Sequence, residues 1–291
     1  MSARRLRYEL ETQREPLAPP SPGKNIIVNI VLNVECWPFD QPMPRAILSP
    51  PHGAQPVPDV PNFSWAEQGM RLGLPRLVEM IASRGLPAGV NLNAAVIDEY
   101  PAAAELLLQS GFEFIGHGLS QRILNTSDER SVVRRAISIL GDYSGQRIRG
   151  WLGPGLQETF DTPDVLSESG IDYVCDWVVD EQPVWLSATP RPLVAVPYSL
   201  ELNDSVIFAV ERQSSPEFHR RVVDTLRSYD DQRNRAPFVL TLPLHPHLMG
   251  ARHRLPYFAS VLELLMERED VVFMTGSGIC DWFVGQSRTV A

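Results

Sequence analysis

The chain contains little of what marks a secreted or membrane-bound protein. Its three cysteines, Cys36, Cys175 and Cys280, are far apart, which argues against a disulfide framework and favours a reducing compartment. No apolar run approaches the ~20 residues of a membrane span. Residues 1–24 lack the apolar segment of a secretory signal. We therefore expect a cytoplasmic protein that does not contact a membrane.

Several catalytic and nucleotide-binding motifs are also missing. Neither Gly153-Pro154-Gly155 nor Gly276-Ser277-Gly278 has the features of a phosphate loop or a dinucleotide fingerprint. No Gly-x-Ser-x-Gly segment is present, which disfavours a serine hydrolase. The net charge of −9 makes the surface as a whole repel nucleic acid. We expect a small-molecule substrate, no nucleic-acid partner and a homo-oligomeric assembly.

Short apolar segments that alternate with amphipathic segments make up most of the chain. This alternation is typical of an α/β fold, and 291 residues suit one large domain. The predicted strands span residues 25–35, 89–93, 112–115, 148–152, 171–174, 193–198, 238–244 and 271–274. We predict a closed barrel of about seven parallel strands. Residues 25–291 would form this domain, and residues 1–24 an extended arm across its surface.

One long segment, residues 36–64, contains eight prolines and shows no periodicity. A segment of that length without structure is uncommon in a compact domain unless it is functional. It carries or borders four aromatic residues, Trp37, Phe39, Phe63 and Trp65. We interpret it as a wall or lid over a binding site, with aromatic packing at the barrel end as the alternative. A helix with a break near Pro75 should follow it.

Polar side chains follow three of the predicted strands. Glu35 follows the first strand, His117 the third, and His245 lies before Pro246, which cannot continue a strand. In α/β folds, ligands bind at the carboxyl ends of the strands. The three side chains therefore predict one site assembled from distant segments. The alternative is that each is an isolated polar residue at a strand end.

These residues belong to five motifs that occur in a fixed order. The motifs are Asn33-Val34-Glu35, Gly116-His117-Gly118-Leu119-Ser120-Gln121, Gly150-Trp151-Leu152-Gly153-Pro154, Asp176-Trp177 and Leu244-His245-Pro246. Over residues 25–285 this order resembles the polysaccharide deacetylase (NodB-homology) superfamily, and the segment 176–185 is similar to its allantoinase-like branch, with Glu181 in place of an Asp. The resemblance implies a distorted (β/α) barrel of the NodB type. It also implies hydrolysis of a C–N amide bond, in an N-acetyl group or in a cyclic ureide or imide.

The resemblance suggests roles for the residues at these positions. Glu35 would be a general base or would orient water, because hydrolysis needs a proton acceptor. His117 and His245 would act as acid, base or oxyanion stabiliser. The predicted substrate-binding residues are Asn33, Gln121, Trp151, Asp176, Trp177, Asp180, Trp185, Glu201 and His247. Single tryptophans more often pack. Asp176 and Asp180 could orient a histidine, as carboxylates often do, or bind substrate N–H groups, and they are equally typical of helix caps. Asn203 and Asp204 follow the same strand as Glu201.

The metal ligands of typical deacetylases are only partly present. Those enzymes have Asp-Asp in the first motif and His-x-x-x-His in the second, whereas this chain has Asn33, Glu35 and, at the second histidine position, Gln121. An amide is a poor zinc ligand. We predict no cofactor and activity without metal, with Glu35, His117 and Gln121 as tentative ligands if zinc binds. The predicted activity is hydrolysis of a small cyclic amide, ureide or imide; the alternatives are metal-dependent sugar N-deacetylation and a non-catalytic binding barrel.

Overall fold

The structure, a computed structural model, describes residues 7–9, 17–49, 56–122, 127–232 and 236–286. Within these ranges nine strands form one curled sheet. They are β1 (Ile26–Val34), β2 (Gly89–Leu92), β3 (Glu113–Gly116), β4 (Gly150–Trp151), β5 (Tyr173–Val174), β6 (Val184–Leu186), β7 (Leu193–Ala195), β8 (Phe238–Leu244) and β9 (Val271–Phe273). The order is β6-β7-β5-β4-β3-β2-β1-β8, and β9 pairs with β1.

Strand β1 is the centre of the sheet. It pairs in parallel with β8 from Ile26 to Leu32, with β2 at its carboxyl end and with β9 at its start. All nine of its residues are buried. Such a strand reads as a continuous apolar run because both of its faces are covered. Ile26 and Val28 pack in the layer between sheet and helices, while Ile27 and Val31 pack inside the curled sheet.

The edge of the sheet at β6 approaches β8 through the loop before β6. The main-chain N–H of Val239 donates to the carbonyl of Glu181 at 2.8 Å, and Nε2 of Gln182 donates to the carbonyl of Pro237 at 2.6 Å. The predicted distorted barrel of mostly parallel strands is therefore confirmed. The sequence prediction missed the short strand β6, which runs antiparallel to β7.

Helices cover the outside of the sheet. Their bounds are α1 (Val60–Gln68), α2 (Leu74–Ala82), α3 (Val96–Glu99), α4 (Pro101–Ser110), α5 (Glu129–Ser144), α6 (Thr162–Glu168), α7 (Glu217–Asp230), α8 (Leu255–Met266) and α9 (Gly276–Val284). A π-helical segment, Gly69–Gly73, joins α1 to α2 just before Pro75, where a break was predicted. None of the described helices is long and apolar enough to cross a membrane.

The segment predicted to be without structure ends earlier than expected. Helix α1 begins at Val60 because the side chain of Asp59 accepts a hydrogen bond from the N–H of Asn62, and a proline is tolerated in the first turn. The Asn62 side chain in turn accepts the N–H groups of Ile47 and Leu48. Helix α1 therefore anchors the described part of the loop before it; residues 50–55 lie outside the described residues.

The division into an arm and one domain stays a prediction. Of the arm, the structure describes residues 7–9 and 17–24. There Arg7 binds both carboxylate oxygens of Asp164, at 3.0 and 3.1 Å, and Tyr8 packs against the ring of Trp177. These contacts lie on the surface of the barrel, as an extended arm would require.

Two glycines allow the π-helical segment to approach the loop that follows β8. A Cβ on Gly73 would lie 2.0 Å from the carbonyl oxygen of Pro246, and a Cβ on Gly69 would lie 2.4 Å from the nitrogen of His247. Both contacts involve backbone atoms, which cannot move away as a flexible side chain can. Because these two residues have no side chain, the loop that carries His245 and His247 can pack directly against the π-helical segment.

Gly73→Ala should lower the free energy of unfolding by about 1–3 kcal/mol, because the methyl group overpacks this contact. The matched control is Gly141→Ala in α5, where a Cβ would meet the carbonyl of Gln146 at 3.4 Å. This control should be neutral or stabilising by up to about 1 kcal/mol, since alanine favours a helix. Urea unfolding followed by circular dichroism measures both. Equal effects of the two substitutions would contradict the close approach.

Candidate active site

Three strand ends bring Glu35, His117 and His245 together. Glu35 follows β1, His117 follows β3 and His245 follows β8. Oε1 of Glu35 lies 3.8 Å from Nε2 of His117 and 3.6 Å from Nε2 of His245. The side chain of Glu35 is only 6% exposed. The structure thus places the three predicted catalytic residues in one buried cluster.

The carboxylate of Glu35 is surrounded by donors. Oε1 accepts a hydrogen bond from Nε2 of Gln121, and Oε2 accepts one from Nε1 of Trp37, both at 2.8 Å. Burial raises the pKa of Glu35, but the interactions with His117 and His245 and the positive charges nearby outweigh it and hold the pKa well below its usual range. Glu35 is therefore ionised at neutral pH, and Gln121 serves to orient it.

His245 is held by a buried carboxylate, Asp204. Nδ1 of His245 donates to Oδ1 of Asp204 at 2.6 Å, while Oδ2 accepts the N–H groups of His245 and Met249 at 2.8 and 3.1 Å. Burial lowers the pKa of His245, but the charge of Asp204 outweighs it and raises the pKa above its usual value. The imidazole thus keeps its second proton, on Nε2, to a higher pH than a free histidine does, and this proton points towards Glu35.

The position of Asp204 corrects one prediction. Glu201, predicted to bind substrate, lies on the surface with a side chain that is 89% exposed, 3.8 Å from Arg221. Asp204, three residues later, is fully buried and reaches the site. Sequence analysis grouped the two residues in one loop, where no periodicity shows which side chain turns inwards.

His117 is held by the main chain instead of by a carboxylate. Its Nδ1 lies 2.7 Å from the carbonyl oxygen of Leu152, which can only accept a hydrogen bond. The proton is therefore on Nδ1, and neutral His117 has a lone pair on Nε2. That Nε2 is buried and has no hydrogen-bond partner among the described residues. A group that donates a hydrogen bond would satisfy it.

Asp176 acts on the same peptide unit from the other side. The N–H of Gly153, which shares its peptide plane with the Leu152 carbonyl, donates to both carboxyl oxygens of Asp176, at 2.8 and 3.0 Å. Asp176 therefore positions His117 through the backbone, in place of the predicted contact with substrate. Burial and the neighbouring carboxyl of Glu158 raise the pKa of Asp176 well above its usual value, and burial raises that of Glu158 to about 7.

Asn33, predicted to bind substrate, is fully engaged inside the barrel. Its Oδ1 accepts hydrogen bonds from Asn91 at 2.8 Å and from the Tyr198 hydroxyl at 2.9 Å, and its Nδ2 donates to the carbonyl of Leu244 at 3.3 Å. The side chain links β1 to β2 and β8. An aspartate here would face the Leu244 carbonyl without a proton to donate, so the amide is the group that suits this position.

The three tryptophans predicted to bind substrate each contact other parts of the protein. Trp151 lies in the layer between sheet and helices, against Gly116, where a Cβ would come within 2.6 Å of its ring. Trp177 donates to Glu158 at 2.8 Å, and Trp185 packs against Phe283 at 5.4 Å between ring centroids. All three therefore pack within the protein.

Asp180, also predicted to bind substrate, stabilises a turn. Its Oδ1 accepts the N–H of Gln182 at 2.9 Å. This contact is typical of an Asx turn, in which an aspartate binds the backbone two residues on. The prediction of a substrate contact is therefore not supported by its position.

An aromatic wall of Trp37 and Trp65 borders the site around His247. The ring of His247 makes edge contacts with Trp37 at 5.6 Å, with Trp65 at 4.8 Å and with His245 at 5.7 Å. Burial and the positive charges of His245 and Arg45 hold the pKa of His247 well below its usual value. It is therefore neutral, and its buried Nε2 has no hydrogen-bond partner among the described residues. Trp37 and Trp65 are two of the four aromatic residues for which the sequence predicts either a wall over the site or packing at the barrel end, and their role as a wall stays a prediction.

Comparison with solved structures places this arrangement in a known fold. PuuE allantoinase has a TM-score of 0.83 and 23% identity, covering 98% of each chain. A protein of Pseudomonas aeruginosa PAO1 assigned to the polysaccharide deacetylases has a TM-score of 0.77 and 23% identity, covering 90% of this chain and 91% of that one. One from Mycobacterium smegmatis, assigned likewise, has a TM-score of 0.77 and 20% identity, covering 96% and 99%. The chain folds as a NodB-type barrel.

The comparisons by sequence add nothing to this result. No family model and no curated protein matches the chain. At about one identical residue in five, the likeness to solved structures shows the fold, and the chemistry has to be argued from the site itself.

The donor set of this NodB-type barrel does not form a complete metal site. Gln121 presents its amide nitrogen to Glu35, and a nitrogen that donates a hydrogen bond cannot be a ligand. Two imidazoles and one carboxylate can hold zinc, but among the described residues no three His, Cys, Asp or Glu side chains are arranged to hold an ion. The tentative ligand set Glu35, His117 and Gln121 therefore does not fit zinc.

Asp204→Asn should lower the pKa of His245, because it removes the negative charge that raises it. Nuclear magnetic resonance of the imidazole carbons as a function of pH measures this shift. The matched control is Asp224→Asn on α7, whose carboxylate pairs with Arg220 on the surface and should leave the titration of His245 unchanged. An unchanged His245 pKa in Asp204→Asn would show that Asp204 is not the cause.

Proposed function

We propose that the chain is a hydrolase of C–N amide bonds that acts on a small cyclic amide, ureide or imide. The observation that carries the proposal is a buried, ionised Glu35 that faces two imidazoles held in opposite ways. His117 offers a lone pair, whereas His245 offers a proton. Hydrolysis of an amide needs both a proton acceptor for water and a proton donor for the substrate.

The pair Glu35 and His117 supports a role in binding the attacking water. Oε1 and Nε2 are both acceptors and lie 3.8 Å apart, so no hydrogen bond joins them directly. One water oxygen about 2.8 Å from each acceptor would donate a hydrogen to both. Imidazole is the side chain whose basicity suits proton transfer near neutral pH, whereas Glu35, with its low pKa, is the weaker base. We therefore assign Glu35 to orienting the water and His117 to accepting its proton.

His245 suits the role of proton donor to the substrate. Its Nε2, which keeps a proton to higher pH because of Asp204, lies 3.6 Å from Oε1 of Glu35, and this is too far for a direct hydrogen bond. The proton is thus free to donate to the carbonyl oxygen of a substrate and to stabilise the negative charge that develops there. The same proton can then pass to the leaving nitrogen, which completes the hydrolysis.

These steps favour a reactive carbonyl. A single imidazolium polarises a carbonyl less than a metal ion does, so the substrate should be more electrophilic than a plain acetamide. The carbonyl of an imide or a ureide in a ring meets this requirement, since a second carbonyl withdraws electrons from the nitrogen. The flat edge of such a ring also suits the aromatic wall of Trp37 and Trp65.

Activity assays with hydantoins, cyclic imides and allantoin on one side and N-acetylated sugars on the other test the proposal. We expect turnover of one of the cyclic compounds, and a loss of about 10²-fold or more in kcat/KM for Glu35→Gln. The matched control is Glu201→Gln, which changes an exposed carboxylate and should leave kcat/KM unchanged. A Glu35→Gln enzyme with wild-type activity would refute the assigned site.

The two alternatives make different predictions in the same assays. Turnover of only the N-acetylated sugars would favour the deacetylase. Tight binding of a cyclic compound without any turnover would favour the non-catalytic barrel, which Asn33 and Gln121 suggest because they replace acidic and imidazole ligands. The polar network around Glu35 argues against that reading, since a binding pocket has no need of a buried, ionised carboxylate.

Activity should not depend on a bound metal, because Gln121, at the position of a metal ligand in typical deacetylases, donates a hydrogen bond from its amide nitrogen to Glu35. Elemental analysis of protein purified without chelators, followed by assays before and after treatment with a strong chelator, measures this. We expect less than about a tenth of an equivalent of zinc per chain, and the same rate before and after chelation. About one equivalent of zinc, with activity lost on chelation and restored by zinc, would overturn the metal-free mechanism.

A further inference from the structure

Arg45 is a partly buried cation that forms no ion pair with any carboxylate in the described part of the chain. Its Nη1 is enclosed by the protein and has no hydrogen-bond partner among the described residues. By contrast, Arg149 and Arg268, which are also partly buried, each bind two aspartates. Leaving a buried guanidinium nitrogen unpaired costs free energy. An arrangement of this kind is therefore expected where a ligand supplies the missing acceptor.

The position of Arg45 connects it to the site. Its guanidinium carbon lies over the ring of Trp37, 5.8 Å from the centroid. The same Trp37 donates to Oε2 of Glu35 and contacts the ring of His247. Burial raises the pKa of Glu35, and the positive charge of Arg45 is one of the effects that lower it. Burial lowers the pKa of His247, and the charge of Arg45 lowers it further. It therefore lies close enough to the site to act on a bound molecule.

We propose that Arg45 forms an anion subsite of this site and that the substrate is a cyclic amide, ureide or imide that carries a carboxylate group. The cyclic part of this substrate rests on the proposed function. The anion subsite is inferred separately, from the position of Arg45 and its unpaired nitrogen. A guanidinium presents paired N–H groups that match the two oxygens of a carboxylate.

The charges around the site favour this placement of the carboxylate. Glu35 and Asp204 are negative and would repel it from the water-binding side, and the proton of His245 is needed by the carbonyl under attack. His247 is neutral and cannot pair with an anion by charge. Arg45, which lies over Trp37, is then a cation at the aromatic wall with a buried nitrogen that has no hydrogen-bond partner among the described residues.

The test compares two ligands that differ in one charge, hydantoin-5-acetic acid and hydantoin-5-acetamide. Wild-type protein should prefer the acid by about tenfold or more in kcat/KM, and Arg45→Gln should remove this preference, mainly through KM. Arg45→Gln should lower kcat/KM for the acetamide by less than it lowers kcat/KM for the acid, because only the acid carries the charge that the subsite binds. Arg45→Lys keeps the charge and should retain part of the preference. The matched control is Arg220→Gln on α7, which replaces an exposed arginine and should leave kcat/KM unchanged for both substrates.

Binding measured by titration calorimetry gives a readout that does not need turnover. The subsite is supported if wild type binds the acid more tightly than the acetamide and Arg45→Gln binds the two compounds equally. This conclusion holds even if neither compound is hydrolysed, in which case only the proposed function fails. If wild type shows no preference in binding or turnover, or if Arg45→Gln weakens both compounds equally, the subsite is refuted. Unfolding curves of each variant show whether an equal loss comes from misfolding.

Discussion

The arrangement of this barrel depends on a negative charge buried at the end of its central strand. An ionised carboxylate taken out of water costs several kcal/mol unless donors and positive charges surround it. Glu35 accepts hydrogen bonds from Trp37 in the loop beside it and from Gln121 after β3, and two strand-end imidazoles lie 3.8 and 3.6 Å from its carboxylate. These segments are far apart in the sequence, so the carboxylate is stable only when the curled sheet has formed. Fold and site are therefore coupled through one side chain.

The two histidines beside Glu35 differ because their outer nitrogens meet different groups. A carboxylate stabilises an imidazolium, whereas a neutral carbonyl fixes which nitrogen of a neutral imidazole carries the proton. His245 meets Asp204, and His117 meets the carbonyl of Leu152. Two residues of the same type, both less than 4 Å from one carboxylate oxygen, are therefore held in different ways by groups one layer away from the site.

The sequence predicted those parts of the site that follow directly from strand ends. Glu35, His117 and His245 each stand at the carboxyl end of an apolar run, and a parallel sheet brings such ends together. The direction of side chains was harder to predict from the sequence. Strands covered on both faces show no alternation of polar and apolar residues, so Trp151 could not be assigned to the outer layer. The same holds in loops, where Asp204 and Glu201 look equivalent. Prolines concealed the start of α1, although a first helical turn accepts them.

The main-chain contact of His117 has a consequence for how this site tolerates mutation. The carbonyl that fixes its tautomer is supplied by the backbone at position 152, and every amino acid offers the same carbonyl there. Substitution of Leu152 by another residue that fits the barrel would leave the hydrogen bond in place. The orientation and the raised pKa of His245, by contrast, depend on one side chain, that of Asp204. Substitutions can therefore alter the environment of His245 far more easily than that of His117.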